Sequence, residues 1–236
     1  MKAMLLAAGK GTRMGELTRD MPKPLLRAGP CSLIEHQIRK LRAAGFTELV
    51  INHAWRGEQL ETAFGDGAAL GVRIVWSREG EPLETAGGIA RALPLLGAAP
   101  FAVVNADIWT DFDFTRLRTA LAAADDLHLV LVPNPPQHPQ GDFAVDAQGR
   151  LQPRSAAPQS AYTYSGIGVF RPALFTALPT ATYPLLPLLQ RSIAAGTASA
   201  QVHAGQWSDI GTPDRLAALE RQLAATDHSL QSGNTP

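Results

Sequence analysis

Through residues 2–133 the chain alternates apolar runs of strand length with segments of helical period, and no other feature limits the fold as much. Strand patterns at Lys2–Ala8, Glu48–His53, Val72–Ser77, Phe101–Asn105 and Leu127–Pro133 are separated by helical patterns at Ser32–Ala44, Gly57–Phe64, Ala86–Leu96 and Thr115–Ala124. A strand followed by a helix returns across the sheet, so the next strand pairs parallel by a right-handed crossover and the helices cover both faces. The expectation is an α/β, single-domain, Rossmann-like fold with a mostly parallel central sheet. Ser32 and Glu35 form a capping box for the first helix, whose Leu33, Ile34, Gln37, Ile38 and Leu41 share one stripe.

Beyond residue 133 the pattern is looser. Pro133–Gln140 reads as a loop, Phe143–Val145 and Leu151 as a small β extension, and Pro153–Gln159 as a second loop. Ala161–Phe170 reads as a strand, Pro184–Ala195 as a helix, Ser199–His203 and Gln206–Asp209 as short strands, and Pro213–Ala225 as a closing helix capped by Thr212. The folded domain is expected over 1–225, with 226–236 as a frayed tail.

Composition narrows the function. Across 236 residues, 21 Lys and Arg balance 21 Asp and Glu, so no global field draws the chain to nucleic acid or an anionic membrane. No apolar run approaches the roughly 18 residues of a membrane span. The apolar start is interrupted at Gly9-Lys10-Gly11-Thr12-Arg13 before it resembles a signal peptide. The single cysteine, Cys31, rules out an internal disulfide and suits a reducing compartment, and the six histidines show no metal-ligand spacing. A cytoplasmic protein is expected.

The glycine-rich loop after the first strand, Leu6-Ala7-Ala8-Gly9-Lys10-Gly11-Thr12-Arg13-Met14-Gly15, falls where ligands bind in an open α/β sheet. Small residues let backbone amides approach a phosphate, and Lys10 and Arg13 add charge. Met14 stands where a dinucleotide fingerprint requires Gly or Ala, and a Walker A lysine is missing. Lys23, between Pro22 and Pro24, is a cation on a stiffened segment. Asp107 follows the strand Phe101–Asn105, where a carboxylate can hold Mg²⁺ that also bridges phosphate oxygens, and Asp209 is the second candidate. The segment Glu79–Ile89 contains Gly87 and Gly88, small enough for a flat base to approach. A carboxylate at Glu79 or Glu81 would accept from uracil N3–H or guanine N1–H and suits both.

Taken together, Leu6–Arg13, Thr18 and Pro22-Lys23-Pro24 resemble the signature of the sugar-1-phosphate nucleotidyltransferases. The resemblance implies that Leu6, Ala8, Gly9, Gly11, Thr12 and Arg13 hold a nucleoside triphosphate, that Lys23 neutralises its α-phosphate, and that Asp107 and Asp209 share Mg²⁺. It places a sugar 1-phosphate near Asn105, Gly141-Asp142 and Ser165-Gly166. Gln152-Pro153-Arg154 stands where many members carry a Glu-Lys-Pro element, and Glu84 replaces a usual glycine. Within the family, Ile51–Trp55, Glu79–Ile89, Asn105–Asp111 and Asp209–Leu216 look closest to the UTP-dependent N-acetylmuramate-1-phosphate uridylyltransferases of cell-wall recycling. The lactyl carboxylate of that sugar suits a nearby cation, Arg154 or Arg171. Mannose-1-phosphate guanylyltransferases share the phosphate-site residues, and a non-catalytic nucleotide- or sugar-phosphate-binding subunit is the more distant alternative.

Overall fold

The computed structural model describes residues 1–179 and 181–232. In chain order, β1 (Ala3–Leu6) leads through the glycine-rich loop to a short hairpin, β2 (Arg27–Ala28) and β3 (Cys31–Ser32), and then to α1 (Leu33–Ala43). β4 (Glu48–His53), α2 (Gly57–Phe64), β5 (Arg73–Arg78), α3 (Glu84–Leu96) and β6 (Phe101–Asn105) follow. The second half holds β7 (Ile108–Thr110), β8 (Leu127–Val132), a hairpin of β9 (Phe143–Val145) and β10 (Leu151–Pro153), β11 (Thr163–Phe170), α4 (Leu186–Ala194), β12 (Ala198–Val202), β13 (Trp207–Asp209) and α5 (Pro213–Ser232).

Seven strands form one sheet in the order β12-β8-β11-β6-β1-β4-β5. At its centre, Ala3, Met4 and Leu5 of β1 and Phe101–Val104 of β6 are fully buried, which is why these strands read as unbroken apolar runs rather than alternating ones. α1 and α2 pack Ile34, Ile38, Leu41 and Leu60 against Leu5, Leu49 and Ile51 on one face. α3 and α4 pack Ile89, Ala92, Leu188 and Leu189 against Met4, Val50 and Val103 on the other. The Ser32 hydroxyl accepts from the Glu35 amide at 3.4 Å, and the Gln37 amide group, fully buried, donates to the Ile108 carbonyl at 2.6 Å and ties α1 to β7. α5 stands apart from the sheet: Leu216 and Leu219 meet Met14, Leu26, Ala28 and Leu33, bracing the glycine-rich loop from below.

The central sheet is mostly parallel, as expected, and one expected helix is corrected. β11 runs antiparallel to both neighbours, β6 and β8, within an otherwise parallel sheet. It is reached through the β9–β10 hairpin without a crossover helix, so its direction reverses. Thr115–Ala124 is not a helix; only a 3₁₀ turn forms, at Phe114–Arg118, capped by Asp113 accepting from the Thr115 amide at 2.9 Å. Beyond it the Arg171 guanidinium donates to the carbonyls of Ala122, Ala123 and Asp125 and satisfies these loop acceptors. Pro153–Gln159 contains one short 3₁₀ turn, Arg154–Ala156, and the start of a second, Pro158–Ser160. The backbone of α5 continues through 226–232 of the stretch read as a tail, and 233–236 lie outside the described residues. Among the described residues no helix is long and apolar enough to cross a membrane.

Candidate active site

β1, β4, β5 and β6 run parallel, and their carboxyl ends open onto a cavity of about 360 Å³. Leu6, Ala8, Gly9, Gly11, Thr12 and Arg13 form one wall of it. Gly11 sits at φ +65°, and a Cβ there would come within 3.0 Å of the Lys23 Cβ and 3.2 Å of the Thr18 side chain, so glycine is required for the loop to close over the lysine. The Thr18 hydroxyl donates to the Gly11 carbonyl at 2.9 Å and fixes that closure. A side chain at Gly9 would meet nothing within 4 Å, which leaves the loop backbone open to a ligand. Arg13 lines the cavity and makes no hydrogen bond or ion pair among the described residues, whereas Lys10 points elsewhere, to Glu81 at 3.2 Å on the surface.

Lys23 is only 7 % exposed and places its Nζ 2.5 Å from Asp107 Oδ2 at the cavity floor. Asp107 comes from the turn after β6, held by the Ala106 amide donating to the Leu6 carbonyl at 3.0 Å. The β7–β13 ribbon pairs Ile108 with Asp209, and the Ile210 amide donates to the Asp107 carbonyl at 2.8 Å. Two acids distant in sequence thereby become neighbours. Asp209 Oδ1 accepts from Gln137 Nε2 at 2.8 Å and pairs with Arg215, while Oδ2 lies 3.0 Å from where a Cβ on Gly211 would be, and Gly211 lines the cavity. Each carboxylate thus keeps one oxygen, Oδ1 of Asp107 and Oδ2 of Asp209, without a hydrogen-bond partner among the described residues.

A buried polar chain that the sequence did not reveal braces the opposite wall. The Ala7 amide donates to Asn52 Oδ1 at 2.9 Å, Asn52 Nδ2 donates to Glu79 Oε1 at 2.6 Å, and Glu79 Oε2 accepts from the Leu83 amide at 3.0 Å. Its one sequence signal was a polar residue, Asn52, ending an apolar strand. Glu79 lines the cavity as expected, though with both oxygens already engaged, and Glu81 does not line it. Gly87 and Gly88 do not line it either, so their smallness serves packing rather than the approach of a base. A Cβ on Gly87 would lie 2.4 Å from the Ala181 carbonyl oxygen, and one on Gly88 2.5 Å from Glu79 Oε1. Glu84, in the cavity wall, adopts φ +61°, a left-handed conformation that favours glycine.

A second cavity, of about 1140 Å³, opens beside the first, and Thr85 and Asn105 line both. Gly141 and Asp142 belong to its wall. Asp142 Oδ2 accepts from the Tyr164 amide at 2.8 Å, and Oδ1 lies 2.9 Å from His138 Nε2. Ser165 and Gly166, expected near the sugar, line neither of these two cavities. The Ser165 hydroxyl is buried and donates to the Val130 carbonyl at 2.6 Å, and Gly166, at φ +80° in the register shift of β11, leaves room for Asn105. A Cβ on Gly166 would sit 2.6 Å from Asn105 Nδ2. Gly166→Ala is therefore expected to cost about 1–2 kcal/mol in backbone strain alone and to displace Asn105. The check is a urea unfolding midpoint read beside turnover, and an unchanged midpoint would show that the bulge relaxes freely.

The glycine-rich loop, the buried lysine and two acids brought close by the β7–β13 ribbon, at the carboxyl ends of a parallel sheet, mark a nucleotide-handling α/β enzyme, and the chain belongs to the Nucleotidyl transferase family, whose pattern it matches over residues 2–226. It is 47 % identical over 230 residues to the N-acetylmuramate alpha-1-phosphate uridylyltransferase of Neisseria meningitidis serogroup B, covering 95 % of this chain and 99 % of that one. The N-acetylmuramate alpha-1-phosphate uridylyltransferase of Caulobacter vibrioides is 34 % identical, over 94 % of this chain and 96 % of its own. Among solved structures, a putative glucose-1-phosphate thymidylyltransferase from Bacillus anthracis superimposes with a TM-score of 0.81 at 19 % identity over 94 % of each chain, which shows the shared fold.

Proposed function

We propose that this nucleotidyltransferase transfers UMP from UTP to N-acetylmuramate α-1-phosphate, releasing pyrophosphate. The observation that carries the reading is the junction of the two cavities at Thr85 and Asn105, beside the Lys23–Asp107 pair. A triphosphate in the first and a sugar phosphate in the second would meet at that point. The relatives of this length act, by their names, on N-acetylmuramate α-1-phosphate.

A non-bridging oxygen of the sugar phosphate attacks the α-phosphorus, a new P–O bond forms, and the α–β bridging bond breaks so that pyrophosphate takes its electron pair. The monoester is already anionic at neutral pH, so no protein base is required, and catalysis is positioning plus charge neutralisation. Lys23 exchanges Asp107 for an α-phosphate oxygen, Arg13 meets the outer phosphates, and the loop amides from Gly9 to Thr12 hold the chain in line. Asp107 and Asp209, each with one oxygen to spare, suit Mg²⁺. Among the described residues no three His, Cys, Asp or Glu side chains gather, so further ligands would come from phosphate and water, as this ion prefers. When bound, Mg²⁺ supplies charge to the phosphates in the transition state. Glu79, engaged by Asn52 and Leu83, shapes the wall against which the base lies. Such chemistry, and the single cysteine, support a cytoplasmic location.

The test measures pyrophosphate released with each nucleoside triphosphate and a panel of sugar 1-phosphates. UTP with N-acetylmuramate α-1-phosphate is expected to give the highest kcat/KM. A higher value with GTP and mannose 1-phosphate would overturn the reading in favour of a guanylyltransferase, and nucleotide binding without turnover on any pair would favour a binding subunit.

A further inference from the structure

Besides Tyr164, the second cavity is lined by three charged or titratable side chains, and two of them satisfy each other. Asp142 and His138 lie 2.9 Å apart, and the second oxygen of Asp142 is taken by the Tyr164 amide. The third, Arg154, sits on the 3₁₀ turn after β10 and donates from Nη1 to a neutral acceptor, Gln140 Oε1, at 2.6 Å. It has no carboxylate partner among the described residues. A guanidinium on a cavity wall with only an amide for company keeps its full charge and most of its donors for an anion.

The position of that anion follows from the two cavities. The reacting phosphate belongs at their junction, where Thr85 and Asn105 are common to both and Lys23 stands at the floor of the first. Arg154 lines only the second, so it faces a part of the acceptor other than the reacting phosphate. Across from the polar rim, Leu185, Leu189 and Ile193 form an apolar side that suits methyl groups. Arg171, the other cation considered for this role, lines neither cavity and donates from Nε and Nη2 to the backbone carbonyls of Asp125, Ala122 and Ala123.

We propose that Arg154 is a specificity-determining residue that binds a second anionic group on the sugar acceptor, the carboxylate of a 3-O-lactyl substituent. Resting on the uridylyltransferase reading above, it explains how the enzyme separates an N-acetylmuramate phosphate from the same sugar without the lactyl ether. A fork-shaped donor matches a carboxylate with two parallel hydrogen bonds.

The experiment compares wild type, Arg154→Gln and Arg154→Lys with UTP and two acceptors, N-acetylmuramate α-1-phosphate and N-acetylglucosamine α-1-phosphate. Arg154→Gln is expected to lower kcat/KM roughly 10–100-fold on the lactyl sugar, the range of a charge-assisted hydrogen bond, chiefly through KM, and to leave the other acceptor unchanged. Arg154→Lys is expected to recover part of the loss. Titrating UDP-N-acetylmuramate and UDP-N-acetylglucosamine gives the same comparison without turnover, with weakened binding of the first alone. Equal losses on both sugars would assign Arg154 to the phosphate and overturn the proposal, as would no loss on either. A wild-type enzyme inactive on the lactyl sugar would instead overturn the function on which the proposal rests.

Discussion

Lys23→Ala is expected to reduce kcat by roughly 10²–10³, the equivalent of about 2.7–4 kcal/mol of barrier, the range seen when one preorganised charge-stabilising donor is removed. Three features make this lysine a fixed charge rather than a mobile one. Pro22 and Pro24 restrict its backbone, Gly11 packs its Cβ against the loop, and Asp107 holds its Nζ at 2.5 Å. With its position already determined, little entropy is lost when a phosphate replaces the carboxylate. The KM for UTP should rise less than kcat falls, because Arg13 and the loop amides still hold the outer phosphates. Arginine should not rescue, since the lysine stem is buried and packed against Gly11. Steady-state pyrophosphate release, with the unfolding midpoint confirming an intact fold, checks this. Near-normal turnover in Lys23→Ala would remove the lysine from the mechanism.

The second large effect lies away from the site. His128, on β8, is 7 % exposed, with Nδ1 3.0 Å from the Ser199 hydroxyl and Nε2 without a hydrogen-bond partner among the described residues. Burial pushes its imidazole down to about 4; Asp125 opposes this and Arg116 adds to it. The folded protein therefore keeps His128 neutral where an unfolded chain would protonate it. Stability from this group is complete above pH 6.5 and is lost as pH falls toward 4, because over that interval the unfolded state binds more protons. The integrated loss is roughly 3 kcal/mol. Urea unfolding at pH 7, 6, 5 and 4.5 should show His128→Gln losing stability less steeply on acidification than wild type. Carboxylates such as Asp113 and Asp146, whose hydrogen bonds hold them below their ordinary range, titrate alike in both proteins and cancel in the difference. Parallel curves for the two proteins would refute the claim.

The residues that sequence reading placed correctly at the cavity share one property. Leu6 to Gly9, Gly11 to Arg13, Lys23, Asn105 and Asp107 all lie at, or shortly after, the end of a buried strand or inside a proline-bracketed turn. Apolar periodicity locates the strand, and the sheet's polarity then places its carboxyl end at the ligand crevice. The expected residues that line neither cavity depend on orientation. Ser165 and Gly166 follow a strand start and fall in a register shift that turns the hydroxyl onto the Val130 carbonyl. Gly87 and Gly88 are small because of the 181–183 backbone and the Glu79 carboxylate, partners that a local reading of Glu79–Ile89 does not identify. Thr115–Ala124 forms only the 3₁₀ turn at Phe114–Arg118, and the carbonyls of Ala122 and Ala123 accept from Arg171, a partner 48 or more residues away.

By itself the sequence determined the alternation of strands and helices, the glycine-rich loop on the first strand, and the stiffened lysine beside it. These are written in local spacing, and spacing fixes which face of an element is apolar and where it ends. Only the tertiary structure decided that β11 enters antiparallel, that Asn52 and Glu79 brace the loop, that Arg154 rather than Arg171 faces the second cavity, and that Asp209 reaches the neighbourhood of Asp107 through the β7–β13 ribbon. Each of these depends on pairing between segments far apart along the chain. The direction of a strand and the aim of a side chain are set by the partner it packs against, and no local pattern contains that partner.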